Sequence, residues 1–251
     1  MYTNDQGLHK RQIEWRWGAL AALAITLVGL YPQVHLWWVR GREWQGSYVL
    51  MQGDETAYSA YVNALIDGRP RRNDPFNGRD VPTYETLHSI QFIPAYAVAL
   101  PARLLGLSGS TAFVWLLVLA ALASSLAIFW LLAMLTGDSK SAAVGTLLIL
   151  CFGATVGSDC CWQANAFTDM LPFLRRYQPA AAFPLFFVFC VFVWRALTRD
   201  GSRARAIYSI AAGTVLAVLV FSYSISGPRR SVGLHASCCS GCCCVATSSD
   251  E

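Results

Sequence analysis

The chain has 251 residues, of which 55% are hydrophobic and only 14% are charged, and its mean hydropathy is +0.41. A soluble domain carries about 25% charged residues, so this composition excludes an ordinary soluble protein and indicates a membrane protein with the lipid bilayer as its partner. The net charge of +4 does not indicate a nucleic-acid partner, because the Lys and Arg residues cluster at the ends of apolar runs.

The N-terminal region, residues 1–16, is polar and basic, and an apolar run over residues 17–38 follows it. This run is long enough to span a bilayer and no small-residue cleavage site follows it. We therefore predict a retained first helix and not a cleaved signal peptide. The basic residues Lys10, Arg11 and Arg16 predict a cytoplasmic N-terminus, which puts the next segment outside.

The rest of the chain contains four further apolar runs that are candidate spans. Residues 89–107 are also apolar, but Gln91, Pro94, Pro101 and Arg103 disfavour a lipid-exposed span. If this segment lies on the outer surface as a helix pair kinked at its prolines, every basic loop obeys the positive-inside rule. The predicted fold is thus an all-α multi-pass membrane protein with outer-face juxtamembrane helices. Its five predicted transmembrane helices cover residues 17–38, 111–135, 141–157, 180–197 and 206–223.

Residues 224–251 differ abruptly in composition and hold five of the nine cysteines. A metal cluster and palmitoylation beside a membrane helix are two interpretations, although no zinc-module spacing is present. We expect instead a frameshift near Tyr223, because CTG leucine codons read one base late encode cysteine. On this expectation the tail is non-native, the native protein is longer, and this chain is its N-terminal part. Whether the truncated copy is active stays open.

Two adjacent acids, Asp54 and Glu55, stand in the predicted outer loop over residues 39–110. Carboxylates in such a place accept a proton from an attacking group or hold a divalent cation. Neighbouring residues on a helix point about 100° apart, so we expect only one of the two acids to face a cleft. Asp54 is equally well interpreted as the N-cap of a helix over residues 55–66, and that role is compatible with catalysis.

The predicted helix over residues 55–66 has one apolar and aromatic face that continues from its first residue. The residues of this face are Tyr58, Tyr61, Val62 and Leu65. For Tyr61 we expect simple packing on the membrane surface. Gly68 is predicted to end the helix as a left-handed cap, and Asp74 begins an Asp-Pro-Phe turn.

A second outer loop is predicted over residues 158–179, with Arg175 and Arg176 at the start of a span. Positive charge is disfavoured on the outer side, so a phosphate is a physical reason to keep two arginines there. That phosphate belongs to a ligand or to lipid headgroups, and both interpretations stay open. Trp162 either stacks on a sugar ring or lies at the interface as tryptophans often do. The candidate binding residues of this loop are Trp162, Arg175, Arg176, Tyr177 and Gln178.

Four features follow one another along the chain: a basic N-terminus, one span, the sequence Gly-Asp-Glu-x-x-Tyr at residues 53–58, and the turn at residues 74–76. In this order they resemble the GT-C glycosyltransferases, multi-pass membrane enzymes that use polyprenyl-phosphate-linked sugars. The protein O-mannosyltransferase and aminoarabinose transferase group is the nearest in shape. Residues 85–111 look like the juxtamembrane segment of that family, although its frequent Pro-Pro-Leu pattern is replaced by Leu-His-Ser at residues 87–89.

The resemblance covers residues 10–223 and implies a glycosyltransferase of the bacterial inner membrane, in the cell envelope. Such an enzyme moves a sugar from a polyprenyl-phosphate donor to an acceptor on the non-cytoplasmic face. Asp54 matches the acid proposed as catalytic base in the family, and Glu55 matches its acidic neighbour. Arg175 or Arg176 would offset charge on the leaving phosphate.

Two other classes of protein stay open, a transporter or lipid flippase and a non-catalytic scaffold of envelope polysaccharide assembly. A transporter places acids or arginines inside its spans, whereas the clear spans here have almost none. A divalent cation could be held by His88 together with Asp54, Glu55 and Asp74, but the spacing does not demand one, and a solvated or capping role explains His88 more simply. The candidate substrate-binding residues of the first outer loop are Tyr58, Asp74 and His88.

Overall fold

The computed structural model of the protein describes residues 12–44, 46, 55–69, 92–152, 171–174 and 177–222. Over these residues the chain is helical and contains no strand, so the predicted all-α class is confirmed. The tail after residue 222 lies outside the described residues, as do six predicted site residues. These six residues are Asp54, Asp74, His88, Trp162, Arg175 and Arg176.

The described residues form seven α-helices, numbered here in chain order, and two short 3-10 turns. The helices are α1 Trp15–Arg40, α2 Glu55–Ile66, α3 Phe92–Leu104, α4 Gly109–Thr136, α5 Ser139–Phe152, α6 Gln178–Thr198 and α7 Ser202–Ser222. The 3-10 turns cover Gly41–Glu43 and Pro172–Leu174.

The helices α1, α4, α6 and α7 are each long and apolar enough to cross a membrane. They correspond to the predicted spans at residues 17–38, 111–135, 180–197 and 206–223. The fifth predicted span, at residues 141–157, corresponds to α5. Its 14 residues are too few to cross a bilayer by themselves, and residues 153–157 lie outside the described part of the chain.

The segment predicted to lie on the outer surface contains α3, which is 13 residues long and therefore too short to span. Within the described residues α3 is one helix that continues through Pro101, and not the predicted pair. Pro94 stands in the first turn of α3, where backbone N–H groups have no partner within the helix and proline is therefore tolerated. The short helix ends at Leu104 and is followed by Gly106, whose φ of +64° is the left-handed conformation of a C-terminal cap.

The central helix of the bundle is α4. Half of its most apolar segment is buried. It packs against α1, α5 and α6. Gly18 of α1 permits one close approach, because a β-carbon there would lie 2.5 Å from the ring of Phe129 in α4. Gly29 permits another, since a β-carbon there would lie 2.8 Å from the ring of Phe173. Small residues at helix contacts are the usual way for membrane helices to gain van der Waals packing.

One end of the bundle collects basic and aromatic side chains. The Lys140 ammonium at the start of α5 lies 5.6 Å from the ring centre of Trp17 in α1. The Arg195 guanidinium near the end of α6 lies 5.6 Å from the ring centre of Trp130 in α4. We call this end, defined by Trp17, Lys140 and Arg195, the basic end. Among the described residues this end carries more basic residues than the other, where Arg40, Arg42, Arg69 and Arg103 lie.

The opposite end carries α2 and α3, which pack on each other and on the first turns of α4. We call it the motif end and define it by Glu55, Tyr61 and Tyr177. The helix α2 has the predicted bounds, and its predicted left-handed cap is confirmed by a φ of +85° at Gly68. The Gly68 N–H donates to the Leu65 carbonyl at 3.1 Å, which closes the last turn of α2.

Candidate functional site

The face of α2 that the sequence predicted to be apolar and aromatic is buried. Tyr61 and Val62 have no exposed surface, and Leu65 is 7% exposed. Glu55, the first residue of the helix, is buried with them and is only 1% exposed. Tyr61 therefore packs inside the protein, and one of the two adjacent acids is an interior residue.

The burial of Glu55 is compatible with its place in the helix. A carboxylate in the first turn of a helix faces the positive end of the helix dipole and backbone N–H groups that have no partner within the helix. These groups offset part of the free energy that burial of a polar side chain costs. The structure therefore makes Glu55 the interior member of the acid pair, and its neighbour Asp54 lies outside the described residues.

The two predicted outer loops meet through a pair of tyrosines. The ring centres of Tyr58 in α2 and Tyr177, just before α6, lie 5.3 Å apart at an interplanar angle of 66°. This edge-to-face geometry is a favourable arrangement of aromatic rings. Tyr58 and Tyr177 were both predicted binding residues, and the structure brings them together from positions more than a hundred residues apart in the sequence.

The environment of Tyr177 is apolar and keeps its phenol neutral. Tyr177 has no exposed surface. Burial raises the pKa of the Tyr177 phenol well above its ordinary value, and the nearby Tyr61 and Tyr58 hydroxyl groups raise it further. The following residue, Gln178, is also buried and is 6% exposed. This part of the motif end thus provides neutral hydroxyl and amide groups in an interior setting.

The helix α3 holds α2 in place, and sequence reasoning did not assign it this role. Its buried face consists of small residues that let α2 approach closely. A further close contact involves Gly109, where an added β-carbon would overlap the side-chain amide of Asn63 in α2. The sequence did contain a signal, since the small residues recur at helical spacing. They are Ala95, Val98, Ala99 and Ala102.

An apolar groove of about 380 Å³ lies between α3 and the first half of α4. Val98 and Pro101 line it from α3, and Trp115 and Leu119 line it from α4. Trp115 is 55% exposed and Leu119 is 59% exposed, so the groove opens on the outside of the bundle.

The predicted cation-binding set is not assembled by the described residues. Among them, no group of three or more His, Cys, Asp or Glu side chains is close enough to hold a metal ion. Of the four predicted ligands, Glu55 is described, and Asp54, Asp74 and His88 are outside the described ranges. Of the ten predicted site residues, the structure therefore places four. These four are Glu55, Tyr58, Tyr177 and Gln178.

The fold and this site define the class of the protein as an all-α multi-pass membrane protein with two shorter helices, α2 and α3, packed at one end of the bundle. Comparison of the chain with protein-family models, with curated proteins and with solved structures gives no match.

Proposed function

We propose that this protein is a GT-C-type membrane glycosyltransferase that moves a sugar from a polyprenyl-phosphate donor to an acceptor on the non-cytoplasmic face. The observation that carries the proposal is the contact between Tyr58 and Tyr177. Tyr58 follows the acidic motif of the first predicted outer loop, and Tyr177 directly follows Arg175 and Arg176 in the second. Sugar transfer needs a proton acceptor on one side of the sugar and a phosphate-binding group on the other, and the acids and the arginines of these two loops are suited to these roles.

The proposal divides the two acids between a catalytic role and a positioning role. Glu55 is buried, so it is suited to hold the start of α2 in place. Asp54 precedes it by one residue, and neighbouring helical side chains point about 100° apart. Asp54 is therefore the acid that we assign to the reaction, and Glu55 is assigned to positioning.

The proposed step is a single displacement at the anomeric carbon. The acceptor hydroxyl gives its proton to the Asp54 carboxylate as its oxygen forms a bond to the anomeric carbon. The bond between that carbon and the phosphate oxygen breaks, and the phosphate leaves with the bonding electron pair. Guanidinium groups of Arg175 and Arg176 offset the charge that grows on the leaving phosphate.

The distribution of charge in the described spans favours chemistry at the membrane surface over transport. In α1, α4, α6 and α7, each charged residue lies within four residues of a helix end. Arg195, three residues from the end of α6, donates a hydrogen bond to the Tyr208 hydroxyl at 3.2 Å and contacts the Trp130 ring. A transporter would place ionisable groups near the middle of its spans.

The proposal is tested with the full chain in proteoliposomes and with polyprenyl-phosphate-linked pentose and hexose donors that are radiolabelled in the sugar. We expect release of labelled sugar from at least one donor, with water taking the place of the acceptor hydroxyl and giving its proton to Asp54. The substitution Asp54→Asn is expected to lower the rate by about 10²-fold or more, because it removes the general base. Arg175→Ala and Arg176→Ala are expected to lower it as well.

Matched controls come from exposed residues of the same end, Glu43→Gln for the acid and Arg42→Ala for the arginines. Both controls should keep the wild-type rate. The proposal fails if no donor is turned over. It also fails if Asp54→Asn transfers sugar at the rate of Glu43→Gln.

A further inference from the structure

The turn between α6 and α7 is the most basic segment that the structure describes. Four arginines and one acid, Asp200, lie between residues 195 and 205. Arg199, Arg203 and Arg205 are exposed. Over the described ranges the ion pair present is Arg16 with Glu14 at the start of α1, so none of these three guanidinium groups is in an ion pair there. Asp200 offsets one of the four arginine charges and leaves the segment with a net charge of +3.

The fourth arginine of the segment is already engaged by the bundle. The Arg195 guanidinium lies against the rings of Trp130 and Tyr208 and donates a hydrogen bond to the Tyr208 hydroxyl. It also lies 3.3 Å from the Met134 sulfur. Arg195 therefore fixes the end of α6 to α4 and α7, and the other three arginines project from a rigid base.

The position of the turn sets the depth of the three arginines relative to a bilayer. Only residues 199–201 separate two helices that are each long enough to span. A link this short must lie at the membrane surface, where guanidinium groups meet lipid phosphates. Leu197 and Trp194 lie in the last two turns of α6, before the turn, and are 76% and 40% exposed. Apolar side chains therefore adjoin the three arginines on their membrane side.

The start of α7 adds to the positive potential of the turn. Its first turn contains no acidic residue, and Asp200, two residues before the helix, is the single acid beside the partial positive charge of this N-terminus. By contrast, the start of α5 is capped by Asp138, whose carboxylate accepts a hydrogen bond from the Ser141 N–H at 2.8 Å. An anion at the α6–α7 turn thus meets both guanidinium groups and backbone N–H groups.

We propose that the α6–α7 turn binds the phosphate of an anionic phospholipid headgroup through Arg199, Arg203 and Arg205. The lipid chains lie beside Leu197 and Trp194, which explains why the site selects a lipid and not a free anion. Selectivity over a zwitterionic lipid follows from net charge, since each arginine near a membrane surface contributes about 1 kcal/mol, or roughly fivefold, to anionic-lipid binding. This site is independent of the proposed sugar transfer, which concerns the opposite end of the bundle.

The test uses the full chain in phosphatidylcholine vesicles that contain spin-labelled phosphatidylglycerol or spin-labelled phosphatidylcholine. Electron paramagnetic resonance measures the association of each labelled lipid with the protein. We expect the wild type to prefer phosphatidylglycerol. In the triple variant R199Q/R203Q/R205Q the preference should fall by roughly twofold or more. The measured change is smaller than the change at the site, because the measurement averages over all lipids that contact the spans.

The control is R40Q/R42Q/R69Q, which removes the same charge from three exposed arginines of the motif end. It should keep the preference, and an equal loss in both triple variants would overturn a localised site. R199K/R203K/R205K retains the charges and should retain most of the preference, whereas complete loss in that variant would overturn the electrostatic assignment. Inorganic phosphate should displace no more lipid than chloride of equal ionic strength, and stronger displacement would show a site for free phosphate instead.

Discussion

The helices α4 and α7 are both long, apolar and suited to span a membrane, but they have different places in the fold. Their most apolar segments have mean hydropathies of 2.5 and 1.8, whereas 50% of that segment is buried in α4 and only 6% in α7. Hydropathy therefore identifies both as spans. It does not follow burial across the four spans, since α1 has a lower mean hydropathy than α6, 1.6 against 2.0, but a larger buried share, 33% against 11%. For a side chain, hydrocarbon and a neighbouring apolar helix are similar surroundings.

The difference lies in shape and not in polarity. The helices α1, α5 and α6 pack along α4, and α2 and α3 contact its first turns. Gly18 of α1 lies directly against Phe129 of α4. The helix α7 packs mainly on α6 and also contacts α3, where the Phe92 and Phe221 ring centres are 6.1 Å apart. A central helix should thus be sensitive to added volume, and a peripheral one should tolerate it.

The largest effect is expected at the contact of α1 with α4. Gly18→Val places new atoms against the Phe129 ring, which has no exposed surface and little room to move. We expect a loss of about 3 kcal/mol in the free energy of unfolding. The control is Gly213→Val in α7, where a β-carbon meets nothing within 4 Å, and which should change stability by about 0.5 kcal/mol at most. Unfolding in mixed detergent micelles, followed by tryptophan fluorescence, measures both. Equal losses would remove the distinction between α4 and α7.

The next effect concerns buried and exposed acids at the motif end. Glu55→Ala removes a packed polar side chain and leaves a cavity, so we expect a loss of about 2 kcal/mol. Glu43→Ala, in the exposed 3-10 turn, should change stability by about 0.5 kcal/mol at most. The same unfolding measurement compares the two variants. If Glu55→Ala is as mild as Glu43→Ala, the interior position of Glu55 at the start of α2 is wrong.

A smaller effect is expected at the end of α2. Gly68 has a φ of +85°, and a β-carbon there would also lie 3.1 Å from the Arg103 guanidinium of α3. Gly68→Ala should therefore cost about 1–2 kcal/mol. Gly213→Ala in the middle of α7 should instead raise stability slightly, because alanine is the better helix former. A gain in stability from both substitutions would contradict the left-handed cap.

The smallest effect is expected at the start of α1. The Glu14 carboxyl accepts hydrogen bonds from Arg16 and forms an ion pair with it, and these interactions lower the pKa of that carboxyl. A lowered pKa in the folded state means that the stabilisation is present above the ordinary glutamate pKa and is lost as the pH falls through the lowered value. The unfolding midpoint of the wild type should thus drop at acidic pH slightly more than that of Glu14→Gln. Identical pH profiles would show that the pair adds nothing to stability.

Local sequence signals predicted the elements of the motif end well. The bounds of α2 and the cap at Gly68 were predicted from helical spacing and from one glycine, and both are confirmed. The single helix α3 in place of a kinked pair was not predicted, because Pro94 stands in a first turn where proline is tolerated. The contact of Tyr58 with Tyr177 was not predictable either, since no local pattern links residues so far apart.

The sequence by itself determined the class of the protein, the four long apolar helices and the residues that end α2, because these depend on hydropathy and on backbone conformation along the chain. Only the tertiary structure decided that α4 is central, that Glu55 is buried and that Tyr177 meets α2. The physical reason is that lipid and protein are almost equally apolar, so the partner of each helix face is selected by shape complementarity, which small residues on other helices provide.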